Sequence, residues 1–149
     1  MYSNLILSVF CLSLFFVSCT KQEVKDEELI QAYIAEQGLN AVDLGDGLYY
    51  VETTEGVGPN PTITSTVTVH YRGYLLDGTE FDGSYGGNPV SFPLTNVILG
   101  WQRGIPALKE GGKGTLIIPS GMAYGANPPS PSIPRNAILV FDVELFEVN

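Results

Sequence analysis

Val97-Ile98-Leu99-Gly100-Trp101 is the stretch that decides the fold. Two β-branched residues and a leucine run into a glycine and then into the only tryptophan of the chain. The following segment, Gln102 to Lys109, has helical spacing, and Gly111-Gly112 ends it. A tryptophan that opens a short helix presents a broad, flat, apolar surface, able to anchor a core or to floor a pocket. Spacing alone favours the core anchor. The other aromatics, Tyr71, Phe81, Phe92, Tyr124 and Phe141, and the short motifs that carry them move the reading towards a pocket.

Around this centre the chain reads as strands and turns. Thr64 to Leu75 is the clearest strand: Val67, Val69 and Tyr71 fall on one face, and Thr66, Thr68, His70 and Arg72 on the other. His70 is therefore expected half-exposed, on the face opposite the aromatics. Asp46-Gly47 and Asp77-Gly78 are turn signals. Leu48 to Thr53, Thr79 to Asp82, Val90 to Phe92 and Lys113 to Ile118 read as further strands. In the last strand, Ala137 to Val148, residues Leu139, Phe141, Val143 and Leu145 point inward. Several antiparallel strands and one short helix each have one apolar face to bury. The expected class is α+β, a sheet wrapped over the helix.

Composition narrows the function. A chain of 149 residues suits one domain plus a leader, and 44% hydrophobic residues support a core. The net charge is −9, with seven Lys and Arg spread thinly. That leaves no basic patch for a phosphate backbone and argues against nucleic-acid binding. His70 is the only histidine, so a Ser-His-Asp triad or a histidine metal site would have to be built on it alone. Neither a metal nor a cofactor is expected.

The N-terminus reads as an address. Leu5 to Val17 is an almost unbroken apolar run, short for a membrane span and suited to a signal-peptide core. Phe16-Val17-Ser18-Cys19 resembles the lipobox of bacterial lipoproteins, in which the cysteine is lipidated and becomes the mature N-terminus. Residues 1–18 are thus expected to be a signal peptide, and 19–25 a lipid-anchored acidic tether. The acidic stretch after Cys19 also resembles surface-export signals, so the expected location is a bacterial outer membrane, facing the periplasm or the surface. A helical extension occupies 26–44: Leu29, Ile30, Tyr33 and Ile34 are helically spaced, Asp26, Glu27 and Glu28 suit a helix N-terminus, and Gly38 stops it.

From Val67 onward the motifs Val69-His70-Tyr71-Arg72-Gly73, Leu76 to Ser84, Val97 to Trp101, Ile118-Pro119, Ala123-Tyr124-Gly125, Ile133-Pro134 and Ala137 to Leu145 follow one another in order. Together they resemble the FKBP-type peptidyl-prolyl cis-trans isomerases. The resemblance implies an antiparallel half-barrel sheet around a short central helix, occupying 45–149, with a substrate proline held in an apolar cup between them. It puts Trp101 at the floor and Tyr71, Phe81, Val97, Ile98 and Phe141 in the walls. Phe92 and Val90 lie beside the cup, Asp82 at its rim and Ile133 on a flap over it. Tyr124 and the backbone N–H of Ile98 become the hydrogen-bonding groups to a bound peptide or macrolide inhibitor. Gly86-Gly87 stand where an Arg often pairs with the rim Asp, and Val90 where an aromatic wall is common. These departures keep open a second reading, a proline-segment binding module or chaperone with weak turnover.

Overall fold

The structure, a computed structural model, describes the backbone of residues 13–149 and the side chains of residues 21–149. Most of the expected leader and the Cys19 side chain lie outside the described residues. Helix α1 (Ser13–Gln37) precedes strands β1 (Val42–Asp43), β2 (Tyr49–Thr54), β3 (Thr66–Leu75), β4 (Glu80–Gly83) and β5 (Val90–Pro93). Helix α2 (Leu99–Gly104) follows, then β6 (Lys113–Ile118) and β7 (Leu139–Val148). The strands form one antiparallel sheet in the order β1-β2-β6-β7-β3-β4, with β5 also paired to β3. β7 runs along the whole of β3, while β5 takes the first half of β3's other edge and β4 the second half.

The alternation of β3 and β7 puts Val67, Val69, Leu139, Phe141, Val143 and Leu145 on the concave face, where they pack with Trp101, Ile105 and Leu108. α2 approaches this face through Gly100 and Gly104. A methyl group at either position would collide with Ile118 or Leu116, so the helix sits at a distance only glycine permits. The helix is shorter than the spacing of Gln102 to Lys109 predicts. It begins at Leu99, and Ile105–Ala107 is a 3-10 turn. Pro106 is the cause, because it has no N–H to continue the ladder. Asp46 and Gly47 both adopt positive φ, 55° and 78°, as the expected turn requires.

The convex face is not left to solvent. Ile117 and Val140 point outward and are wholly buried, with Tyr49 and Ile138, beneath Ile30 of α1. Two expectations for this region are corrected. α1 includes Lys21 to Lys25, so the sequence-predicted start at Asp26 is an interior position. Leu29, assigned to the apolar stripe, is 44% exposed, since Ile30, Tyr33 and Ile34 make the contact. No described helix is long and apolar enough to cross a membrane.

The close α2 approach is testable. Gly100→Ala should lower stability by about 1–3 kcal/mol through overpacking against Ile118. Gly121→Ala, where an added methyl meets open space, should change it by less than about 0.5 kcal/mol. Urea midpoints of the two variants check the contrast.

Candidate functional site

The sheet and α2 leave a cavity of about 430 Å³ between them, of the size that small-molecule sites have. Trp101, on the first turn of α2, lies beneath it and is 4% exposed. Three rings hold the indole. Tyr71 of β3 and Phe141 of β7 meet it edge-on at centroid distances of 5.3 and 5.1 Å, and Phe92 of β5 is tilted at 5.4 Å. Such T-shaped contacts set the positive edge of one ring against the negative face of another. The indole N–H is buried and meets no acceptor among the described residues, so ring packing holds the floor. Gly73 makes room for this arrangement, since a methyl group there would strike both Phe141 and Phe81.

The site residues expected from sequence converge with two exceptions. Tyr71, Asp82, Val90, Phe92, Val97, Ile98, Trp101, Tyr124 and Phe141 all line the cavity. Phe81 is edge-on to Phe141 at 5.6 Å and is not among the residues that line the cavity. Ile133 is buried in the concave core rather than in the cavity wall. Asn96, in the turn Leu94–Asn96 before Val97, lines the cavity and escaped the sequence reading. An isolated Asn in a turn carries no pattern; only its place just before Val97-Ile98 could have pointed to it. His70 lies on the opposite face, as the alternation of β3 implies, with Nδ1 2.9 Å from Ser84 Oγ and its ring stacked on Tyr85.

The rim is polar and held on both sides. The Tyr71 hydroxyl donates to Asp82 Oδ2 at 2.8 Å, and the Gly83 N–H donates to Oδ1 at 2.8 Å. Tyr71 thus supplies the partner that the missing arginine does not. Burial, then the hydrogen bond and charge of Asp82, push the Tyr71 hydroxyl up to about 12. Burial, then Asp82, also raises Tyr124. Both hydroxyls therefore remain protonated donors at neutral pH. Deeper in the wall, Gln102 Nε2 donates to the Val97 carbonyl at 2.8 Å. A trans peptide directs its C=O and N–H oppositely, so this bond turns the Ile98 N–H away from Gln102. No described residue accepts that N–H.

The site is an apolar hollow with an aromatic floor, one phenol bonded to a braced carboxylate, a second phenol, and a backbone N–H unengaged among the described residues. Comparison with known proteins assigns the class. Residues 58–146 match the family described as FKBP-type peptidyl-prolyl cis-trans isomerase, and the chain belongs to that family. It is 44% identical over 127 residues to the FKBP-type peptidyl-prolyl cis-trans isomerase FkpA of Escherichia coli K12, covering 85% of this chain and 46% of that one. It is 44% identical over 125 residues to a probable FkpA of Neisseria meningitidis, covering 83% and 45%. The chain thus spans a little under half the length of these curated relatives. The crystal structure of Escherichia coli FkpA superposes with a TM-score of 0.73 at 40% identity, covering 93% of this chain and 64% of that one. A peptidyl-prolyl isomerase from Pseudomonas syringae gives a TM-score of 0.76 at 35% identity, covering 87% and 95%. These structures share the half-wrapped sheet, the central helix and the preceding helix.

The tyrosines make a pH prediction. Tyr49, Tyr50 and Tyr71 are each pushed up to about 12, with burial the leading cause. An unfolded tyrosine ionises near 10. Between about pH 10 and 12 the unfolded chain sheds phenolic protons that the folded chain keeps. The stability these groups lend is therefore complete below about pH 10 and lost as pH rises through 12. Urea midpoints should fall steeply above about pH 10, with phenolate absorbance from these residues appearing together with unfolding.

Proposed function

We propose that this chain accelerates cis–trans isomerisation of X–Pro bonds in polypeptides of the bacterial cell envelope, held at a membrane by a lipid on Cys19. The observation that carries the enzymatic part is the 430 Å³ cavity on the Trp101 floor, with Tyr124 and the Ile98 N–H at its wall. The lipobox-like Phe16-Val17-Ser18-Cys19 supports the location.

The chemistry needs no covalent step. Rotation about the X–Pro bond is slow because resonance gives the C–N bond partial double-bond character, a barrier of about 20 kcal/mol. In the twisted transition state that resonance is gone and the amide is less charge-separated. A water-poor wall of Tyr71, Phe92, Val97 and Phe141 disfavours the planar amide relative to the twisted one. The Tyr124 hydroxyl, which bonds no described residue, and the Ile98 N–H are placed to hold the flanking carbonyls in a bent shape. A thousandfold acceleration requires only about 4 kcal/mol. The bonded pair Tyr71–Asp82 keeps the rim rigid while the chain turns.

A protease-coupled assay on an X–Pro peptide tests this with the full chain. The wild type should accelerate isomerisation. Trp101→Ala should abolish it and lower stability by about 3–5 kcal/mol. Tyr124→Phe should leave stability nearly unchanged and reduce kcat/KM about fivefold, the worth of one hydrogen bond. Saturable binding of the peptide without acceleration would overturn the enzymatic reading and leave a binding module. For the anchor, radiolabelled palmitate should enter the wild type and not Cys19→Ala, which should leave the membrane fraction.

A further inference from the structure

We propose that Asp26 of α1 is a positioning residue for the proline cup, acting through Ser120 on Tyr124. The inference rests on the isomerase reading above for its kinetic consequence. Asp26 and Ser120 are each 2% exposed, a carboxylate and a hydroxyl taken out of water where helix and loop meet. Burial of a carboxylate is tolerated only where donors satisfy it. Ser120 supplies two, its N–H at 2.8 Å and its hydroxyl at 2.5 Å, both to Oδ2. Gln22 Nε2 donates to Oδ1 at 2.7 Å.

Ser120 also holds the chain on either side of Tyr124. Its carbonyl accepts the N–H of Ala123 at 3.2 Å and of Gly125 at 3.0 Å, the two chain neighbours of Tyr124. Ser120–Met122 is a 3-10 turn of three residues, which makes few bonds of its own. Gly125, at φ +53°, reverses the chain, and its carbonyl accepts the Asn136 N–H at 2.7 Å. The residues before and after Tyr124 thus both donate their N–H to the Ser120 carbonyl, and Ser120 in turn is held by Asp26. The apolar contacts of Ile30 can press α1 onto the sheet, but they lie on the convex side and do not reach this turn. The carboxylate is the directional link between a helix outside the matched family segment, residues 58–146, and a cavity residue within it.

The test compares full-length wild type, Asp26→Ala, Asp26→Asn, Ser120→Ala and Glu36→Ala, the last an exposed site near the other end of the same helix. Two readouts are X–Pro isomerisation kinetics below each variant's unfolding transition and the ring NMR signals of Tyr124. Asp26→Ala should lower kcat/KM about tenfold, as a displaced positioning contact does, and shift the Tyr124 signals. Asp26→Asn keeps one carbonyl oxygen for both Ser120 bonds and should return kcat/KM to within about threefold of wild type. Glu36→Ala should move neither readout. Adding Tyr124→Phe to Asp26→Ala should cost little beyond Asp26→Ala alone, because the hydroxyl is already displaced. If Asp26→Ala does not fold, Ser120→Ala carries the same comparison, losing the hydroxyl bond while keeping the N–H bond. A folded Asp26→Ala with wild-type kinetics and unmoved Tyr124 signals overturns the proposal, as do losses in the double variant that simply add. A wild type without isomerase activity would sink the isomerase reading instead, and the NMR shifts would still decide whether Asp26 sets Tyr124.

Discussion

The nearness of α2 to the concave sheet governs the rest of the molecule. Gly100 and Gly104 let the helix backbone rest on Ile118 and Leu116, with no Cβ between them. At that distance the tryptophan between the two glycines reaches the concave aromatic cluster of the sheet. Tyr71, Phe92 and Phe141 close round it from three strands. A helix set one methyl group further out would carry its indole out of register with those rings. The floor is set by packing, and its N–H meets no acceptor among the described residues. That tolerated cost is the sign of an orientation chosen by shape rather than by hydrogen bonding.

Above the floor, polar groups are few and each is constrained. Asp82 is bound through both oxygens, Tyr71 by its bond to Asp82, and the Val97 carbonyl by Gln102. The Tyr124 hydroxyl and the Ile98 N–H, which bond no other described residue, can each donate. A polypeptide entering the cavity brings carbonyl acceptors, so the wall and the ligand are complementary in hydrogen-bonding sense as well as in polarity. The same burial that dries the wall keeps the tyrosines protonated.

The second layer changes how the fold should be pictured. α1 buries Ile30 on the outward side chains of β6 and β7 and sends one carboxylate across to the turn before Tyr124. The sheet is therefore covered on both faces over its β2-β6-β7 half. Its two layers make different contacts: the inner one shapes the cavity, and the outer one steadies a loop at its edge.

Much of this could be read in the chain. Strict alternation in β3 and β7 assigned faces correctly, so Tyr71 and Phe141 went to the cup and His70 away from it. Val97 to Trp101 marked a short helix and its anchor ring; spacing alone favoured a core role, and the family resemblance put Trp101 at the floor. The half-barrel and most of the wall came from the family resemblance that the ordered motifs carry, since each motif is local and can be matched along the chain. The bonds between distant segments were not legible. Asp26 lies 94 residues from Ser120 and reads as an ordinary helix-start acid until the two meet. Asn96 looks like a turn residue until the cavity is seen, and Phe81 looks like a wall until its ring is found against Phe141 outside the lining. Periodicity and turn chemistry belong to neighbours along the chain and are written in their order. Which layer a ring occupies, and which buried acid finds which donor, depend on how separate elements come to rest against one another, and only the folded chain decides that.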